Sequence, residues 1–196
     1  MRFPIRSYTF FICLVAVVLI SGCTTQIESL THTDPTGLFS INYSSYWIEN
    51  PEDKTTVLRE VNKSFPGLQT TGVFLISGKS RFYVIAITME NTPVEDEVKH
   101  LLNQSIDNYE TNARLLAQKG SYSYSVISSG STEVGSIKEA MYILSEMADT
   151  KVKEKAISAV KGNYFIIVLH TSTTTDYDKV APDVDKIISS LKLLKN

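Results

Sequence analysis

Apolar Phe39, Ile41 and Tyr43 alternate with polar Ser40 and Asn42, the two-residue period of a half-buried strand. Residues 44–50 then form a turn around Trp47, the only tryptophan. Residues 54–63 show no decisive period, and Pro66-Gly67 closes them off as a loop. Val73–Ser77 and Phe82–Met89 are dense in β-branched and aromatic residues and flank Gly78-Lys79-Ser80. They predict a hairpin whose second strand is buried on both faces. A helix over residues 93–119 is expected next. Thr92 is its expected N-cap, Pro93 its first residue, and Glu95 completes a capping box. Val94, Val98, Leu101, Leu102, Tyr109, Ala113 and Leu116 recur at helical spacing as one apolar stripe, and Gly120 is the expected C-cap.

Strand-like runs follow at 122–134, 138–149, 152–160 and 164–172. Gly162-Asn163 between Val160-Lys161 and Tyr164 suits a tight hairpin with positive φ. Tyr164–Leu169 is continuously apolar, which places it centrally in a sheet. Val180, Val184, Ile187, Ile188 and Leu191 give a second amphipathic helix, with Pro182 expected in its first turn because an interior proline costs about 3 kcal/mol. Links this short cannot join parallel neighbours. The expected fold class is therefore α+β: an α/β/α sandwich with a largely antiparallel sheet and two main helices.

The strand Phe39-Ser40-Ile41-Asn42-Tyr43 leading to Trp47, the long middle helix, and a final hairpin plus helix ending in Ser190-Leu191-Lys192 resemble the PsbP fold. That fold includes the thylakoid-lumen PsbP proteins of photosystem II, the bacterial DcrB-like lipoproteins and the Ran-binding Mog protein. The resemblance spans residues 37–194, and Ser44 stands where the family usually has proline. It implies the same sandwich. Because the fold hosts unrelated tasks, it implies binding or assembly roles by analogy alone.

Composition narrows the classes. The 196 residues suit one domain, with a net charge of −2 and no clustered basic face, so nucleic acid is not an expected partner. Two cysteines and three histidines make neither a disulfide framework nor a zinc motif, and no metal or cofactor is expected.

The amino terminus carries the strongest motif. Arg2 and Arg6 precede the apolar run Phe10–Ile20, which is too short to span a bilayer and fits a signal-peptide core. Leu19-Ile20-Ser21-Gly22-Cys23 resembles the lipobox of prokaryotic lipoproteins. The resemblance implies a signal peptide over 1–22, cleavage before Cys23, and a thioether-linked diacylglycerol on its sulfur. Two acyl chains anchor a protein stably where one does not. Loss of Arg2, Arg6 and Cys13 would leave 17 basic residues against 21 acidic ones and no free thiol. Residues 23–37 are then the lipidated cysteine and a flexible tether that includes a solvated His32, and residues 38–196 the PsbP-like domain. The expected location is the extracytoplasmic face of the cell membrane.

Candidate chemistry in the body is sparse. Gly78-Lys79-Ser80 lacks the spacing and the following helix of a phosphate loop. His100 near the helical stripe and His170 at the end of a central strand could each be a general base or a structural histidine. Glu95-Asp96-Glu97 suits a helix N-terminus, and Asp176, Asp178, Asp183 and Asp185 lack the pattern of a calcium loop. Tyr43, Tyr46 and Trp47 are the possible binding residues, able to line a pocket or to plug the end of the sandwich. Asn42, Asn62 and Asn103 lie in N-x-Ser sequons. The leading expectation is a non-enzymatic, membrane-anchored binding or assembly module with a protein partner. The alternatives are a cell-envelope hydrolase using His100 or His170, and a solute-binding lipoprotein, for which a single lobe is small.

Overall fold

A computed structural model describes residues 28–195. The signal sequence, the lipobox and Cys23 therefore lie outside the described residues. The strands are β1 (Ser29–Thr33), β2 (Phe39–Ser44), β3 (Ile48–Glu49), β4 (Gln69–Ser77), β5 (Ser80–Thr88), β6 (Tyr124–Val134), β7 (Ile137–Met147), β8 (Val152–Lys161), β9 (Tyr164–Thr173) and β10 (Lys192–Leu193). The helices are α1 (Pro51–Ser64), α2 (Glu95–Gly120) and α3 (Thr174–Ser190), with a 3-10 turn at Ala148–Thr150. Seven strands form an antiparallel sheet in the order β3-β4-β5-β9-β8-β7-β6, and β1-β2-β10 form a smaller one. The apolar Tyr164–Leu169 run accordingly occupies the middle strand.

Alternation along the central strands divides the core. Phe82, Val84 and Ala86 of β5, with Ile166 and Val168 of β9, face β2 and α3, meeting Phe39, Ile41, Trp47, Val184 and Ile187. Tyr83, Ile85, Ile87 and Phe165 face the other way, onto Leu102 of α2 and Val57, Leu58 and Val61 of α1. Each fully buried aliphatic or aromatic side chain contributes roughly 1.5–3 kcal/mol, so both faces hold the sheet. The α+β class and the antiparallel sheet match expectation. The small sheet, which shares one outer layer with α3, and the third helix are additions to it.

Three two-residue hairpins turn on glycine. Gly78, Gly135 and Gly162 all have φ between +55° and +58°. Gly135 is also crowded, since a Cβ there would lie 1.8 Å from the carbonyl oxygen of Leu191.

Several expectations need correction. The tether does not run to residue 37: residues 29–33 pair with β2 along their whole length. His32 is not a solvated residue. Its Nδ1 lies 2.8 Å from Glu49 Oε1, and its ring packs 6.2 Å from that of Phe39. Asp34, buried in the following turn, accepts from the Thr36 and Thr71 hydroxyls and the Thr36 and Leu38 amides, fastening the turn to β4. Burial alone would raise its pKa; these bonds outweigh it and lower it. The undecided residues 54–63 are helical, started by Asn50, whose side chain accepts from the amides of Glu52 and Asp53. The N-cap of α2 is Val94 rather than Thr92, because Val94 is still extended and Glu97 accepts from its amide at 3.0 Å. Gly120 remains helical and Ser121 takes the left-handed cap. Leu116 is exposed, and the buried stripe is Leu102, Ile106, Ala113 and Ala117. Pro182 sits inside α3, which begins at Thr174, so the carbonyl four residues earlier has no helical donor.

Candidate functional site

A cavity that holds a buried histidine lies beside α3, over the β8-β7-β6 side of the sheet. It measures about 370 Å³. Its floor is Ser128 and Thr132 of β6, Tyr142 and Leu144 of β7, Lys155 of β8 and His170 of β9. Its wall is Tyr177, Ala181, Val184 and Asp185, which helical spacing brings to one side of α3. Strand alternation places His170 on the α3 face, two residues beyond Val168.

The groove's charges are matched across the layer. Lys155 Nζ lies 3.1 Å from Asp185 Oδ1, and Lys153 Nζ lies 3.0 Å from Asp178 Oδ1 and 4.6 Å from the centre of the Tyr177 ring. Asp178 and Asp185 are therefore clamps between α3 and β8. Asp176 meanwhile accepts from Thr173 and Lys179.

His170 is 1% exposed and stacks on Tyr177, with ring centres 4.7 Å apart. Burial, then the nearby Lys155 ammonium, push its pKa from 6.5 down to about 4, against a smaller opposing pull from Asp185. The imidazole is neutral at physiological pH, with one N–H and one lone pair to offer. Among the described residues, neither ring nitrogen has a hydrogen-bond partner. Neither Ser128 nor Asp185, which line the same cavity, is hydrogen-bonded to the imidazole. His100 lies far from this groove in the chain fold, exposed near the start of α2 rather than turned into its apolar stripe.

The aromatic trio divides. Trp47 is 1% exposed and meets Phe82 edge-on at 6.3 Å. Its Nε1–H donates to Asp183 Oδ2 at 2.7 Å, while Ser44 Oγ donates to Asp183 Oδ1 at 2.8 Å. Trp47 plugs the sandwich and ties the β2–β3 turn to α3. Tyr43 is buried, donates to Glu49 Oε1 at 3.2 Å, and lines a cavity of about 390 Å³ with Asp183, Lys186 and Ser190. Its pKa is raised, first by burial and then by Glu49. Only Tyr46 is open, at 41% exposure. The sequence reading missed Asp183 as the joint holding this corner, and Lys155–Asp185 as a border of the groove. Their partners are too distant in sequence for any local pattern to show.

Among the described residues, no three His, Cys, Asp or Glu side chains are grouped to hold a metal ion, and no helix is long and apolar enough to cross a membrane.

No family model and no curated protein matches this chain. Solved structures do. Cyanobacterial PsbP (CyanoP) from Synechocystis sp. PCC 6803 superposes with a TM-score of 0.50 at 12% identity, covering 88% of this chain and 96% of that one. A protein from Bacteroides thetaiotaomicron VPI-5482 gives 0.43 at 14% identity, over 85% of this chain and 48% of its own. The extracellular domain of PknH from Mycobacterium tuberculosis gives 0.38 at 12% identity, over 88% and 90%. At these identities the likeness is one of fold, and the fold is PsbP-like, an α+β domain built on a large antiparallel sheet.

Proposed function

We propose that this protein is a binding or assembly module held on the extracytoplasmic face of the membrane by lipid on Cys23, with the groove beside α3 as its seat for a partner. The observation that carries this reading is the state of that groove. Its lysine, Lys155, is matched by Asp185, and its one histidine is neutral, stacked on Tyr177 and hydrogen-bonded to none of the hydroxyls around it. Such a site holds a partner by shape and hydrogen bonding rather than by chemistry. The lipobox at Leu19–Cys23 supports the location, and the PsbP-like fold is compatible with an assembly role by analogy.

Two experiments test it. A Cys23→Ser chain should lose its acyl mass and leave the membrane fraction; unchanged sedimentation and mass would refute the anchor. A photoreactive residue at Ser128 or Thr132, in intact membranes, should capture the same protein neighbour from both positions and not from Asn163. Robust hydrolysis by the purified body, abolished by His170→Ala, would overturn the non-enzymatic reading.

A further inference from the structure

The corrected tether has a geometric consequence. Only Cys23, Thr24, Thr25, Gln26 and Ile27 separate the lipid-bearing sulfur from Glu28, where the described fold begins. Five residues reach at most about 18 Å even when fully extended. A body of this size is roughly 40 Å across. The leash is therefore shorter than the body, and one pole stays against the bilayer.

That pole can be identified. The amide of Ser45 donates to the carbonyl of Glu28 at 2.9 Å, so the chain enters the fold beside the β2–β3 turn. This turn exposes two large apolar side chains, Tyr46 at 41% and Ile48 at 64%. Ile48 pairs with Ile76 at the edge of the large sheet, at the end that carries the Gly78 hairpin. The Gly162-Asn163 hairpin caps the opposite end, since Thr88 pairs with Tyr164. Tyrosine is favoured at the membrane–water interface, where its ring sits among headgroups. The processed chain would carry 17 basic against 21 acidic residues, so attraction to anionic lipid does not account for contact.

We infer that the β2–β3 turn, through Tyr46 and Ile48, rests in the headgroup layer of the bilayer that holds Cys23, leaving the Gly162 end outermost. The inference rests on the lipid-anchor reading. It commits to the bilayer as the surface covering this patch.

The test exploits the chain's own cysteines. After processing, Cys13 is gone and the Cys23 sulfur is blocked, so one introduced cysteine is the only thiol. The lipidated Ile48→Cys, Tyr46→Cys and Asn163→Cys proteins are labelled with an environment-sensitive fluorophore in phosphatidylcholine vesicles doped with nitroxide lipid. An unchanged far-ultraviolet circular dichroism spectrum, taken before labelling, certifies the fold of each. Labels at 48 and 46 should shift to the blue and be quenched by the nitroxide, and the label at 163 should do neither. Equal behaviour at 48 and 163 overturns the inference. So does a label at 48 that is shielded from water but unquenched, because protein rather than lipid would then cover the patch. A protein that lacks acyl mass and stays off the vesicles refutes the anchor reading itself, and the docking pole with it.

Discussion

Replacing Asp183 by alanine removes the carboxylate that joins the β2–β3 turn to α3. Two bonds go at once, from the Trp47 indole at 2.7 Å and the Ser44 hydroxyl at 2.8 Å. Trp47 is almost wholly buried, so its N–H cannot turn to water instead. A hydrogen bond to a charged group is worth about 1.5–3 kcal/mol, and a buried donor left unmade costs about 1–3 kcal/mol. The two losses describe one change, so the expected destabilisation is about 2–4 kcal/mol rather than their sum. With a guanidinium slope of about 4 kcal/mol/M for a domain of this size, the midpoint should fall by roughly 0.5–1 M. Trp47, as the only tryptophan, reports the transition by its fluorescence in a soluble form beginning at Thr24. Ser44→Ala should lose about 1.5 kcal/mol, the low end for a bond to a carboxylate, and Asp183→Asn should fall between the two variants. If Asp183→Ala shifts the midpoint no further than Ser44→Ala, the indole–carboxylate tie contributes nothing and the account of this corner is wrong.

Gly135→Ala should cost about 3 kcal/mol or more, since it combines a left-handed φ with a Cβ driven into the Leu191 carbonyl. Gly162→Ala shares the φ but meets open space, so about 1–2 kcal/mol is expected; equal denaturation midpoints for the two variants would refute the crowding argument. His170 should make the fold acid-sensitive. Its folded pKa of about 4 lies below the unfolded 6.5, so its stabilisation is whole above pH 6.5 and is lost as pH falls towards 4, by about 3 kcal/mol in all. Denaturation at pH 7 and pH 5 should therefore show a smaller acid loss in His170→Phe than in the parent, and parallel losses would refute the burial of a neutral imidazole.

The large sheet was legible in the chain because its strands are long, apolar and punctuated by glycine turns. Gly78-Lys79 and Gly162-Asn163 fix two hairpins by local chemistry alone. β1 was not legible. Ser29-Leu30-Thr31-His32-Thr33 is an edge strand with one apolar residue, and only its pairing with β2 makes it a strand. α1 has no fully buried residue, so no stripe announced it, although Asn50-Pro51 is a sound helix start. Pro182 misled because a proline ordinarily marks a first turn, whereas tertiary packing of Tyr177, Val184 and Ile187 carries α3 through it. His170 was visible as a titratable group ending a buried strand, but its stacking on Tyr177 is set by the crossing of α3, which no sequence spacing reports.

The pairing of Lys192 with Ser40 and of Leu193 with Phe39 joins positions about 150 residues apart, the kind of contact that slows folding. A chain made amino terminus first thus presents β2 well before the strand that completes its sheet has emerged. Until then Phe39, Ile41 and Tyr43 lack part of their cover, and the nascent chain holds that greasy ribbon open. Folding should accordingly gain from a chaperone that shields such a ribbon, and removing Lys192–Leu194 should harm the yield of folded protein more than their small number suggests.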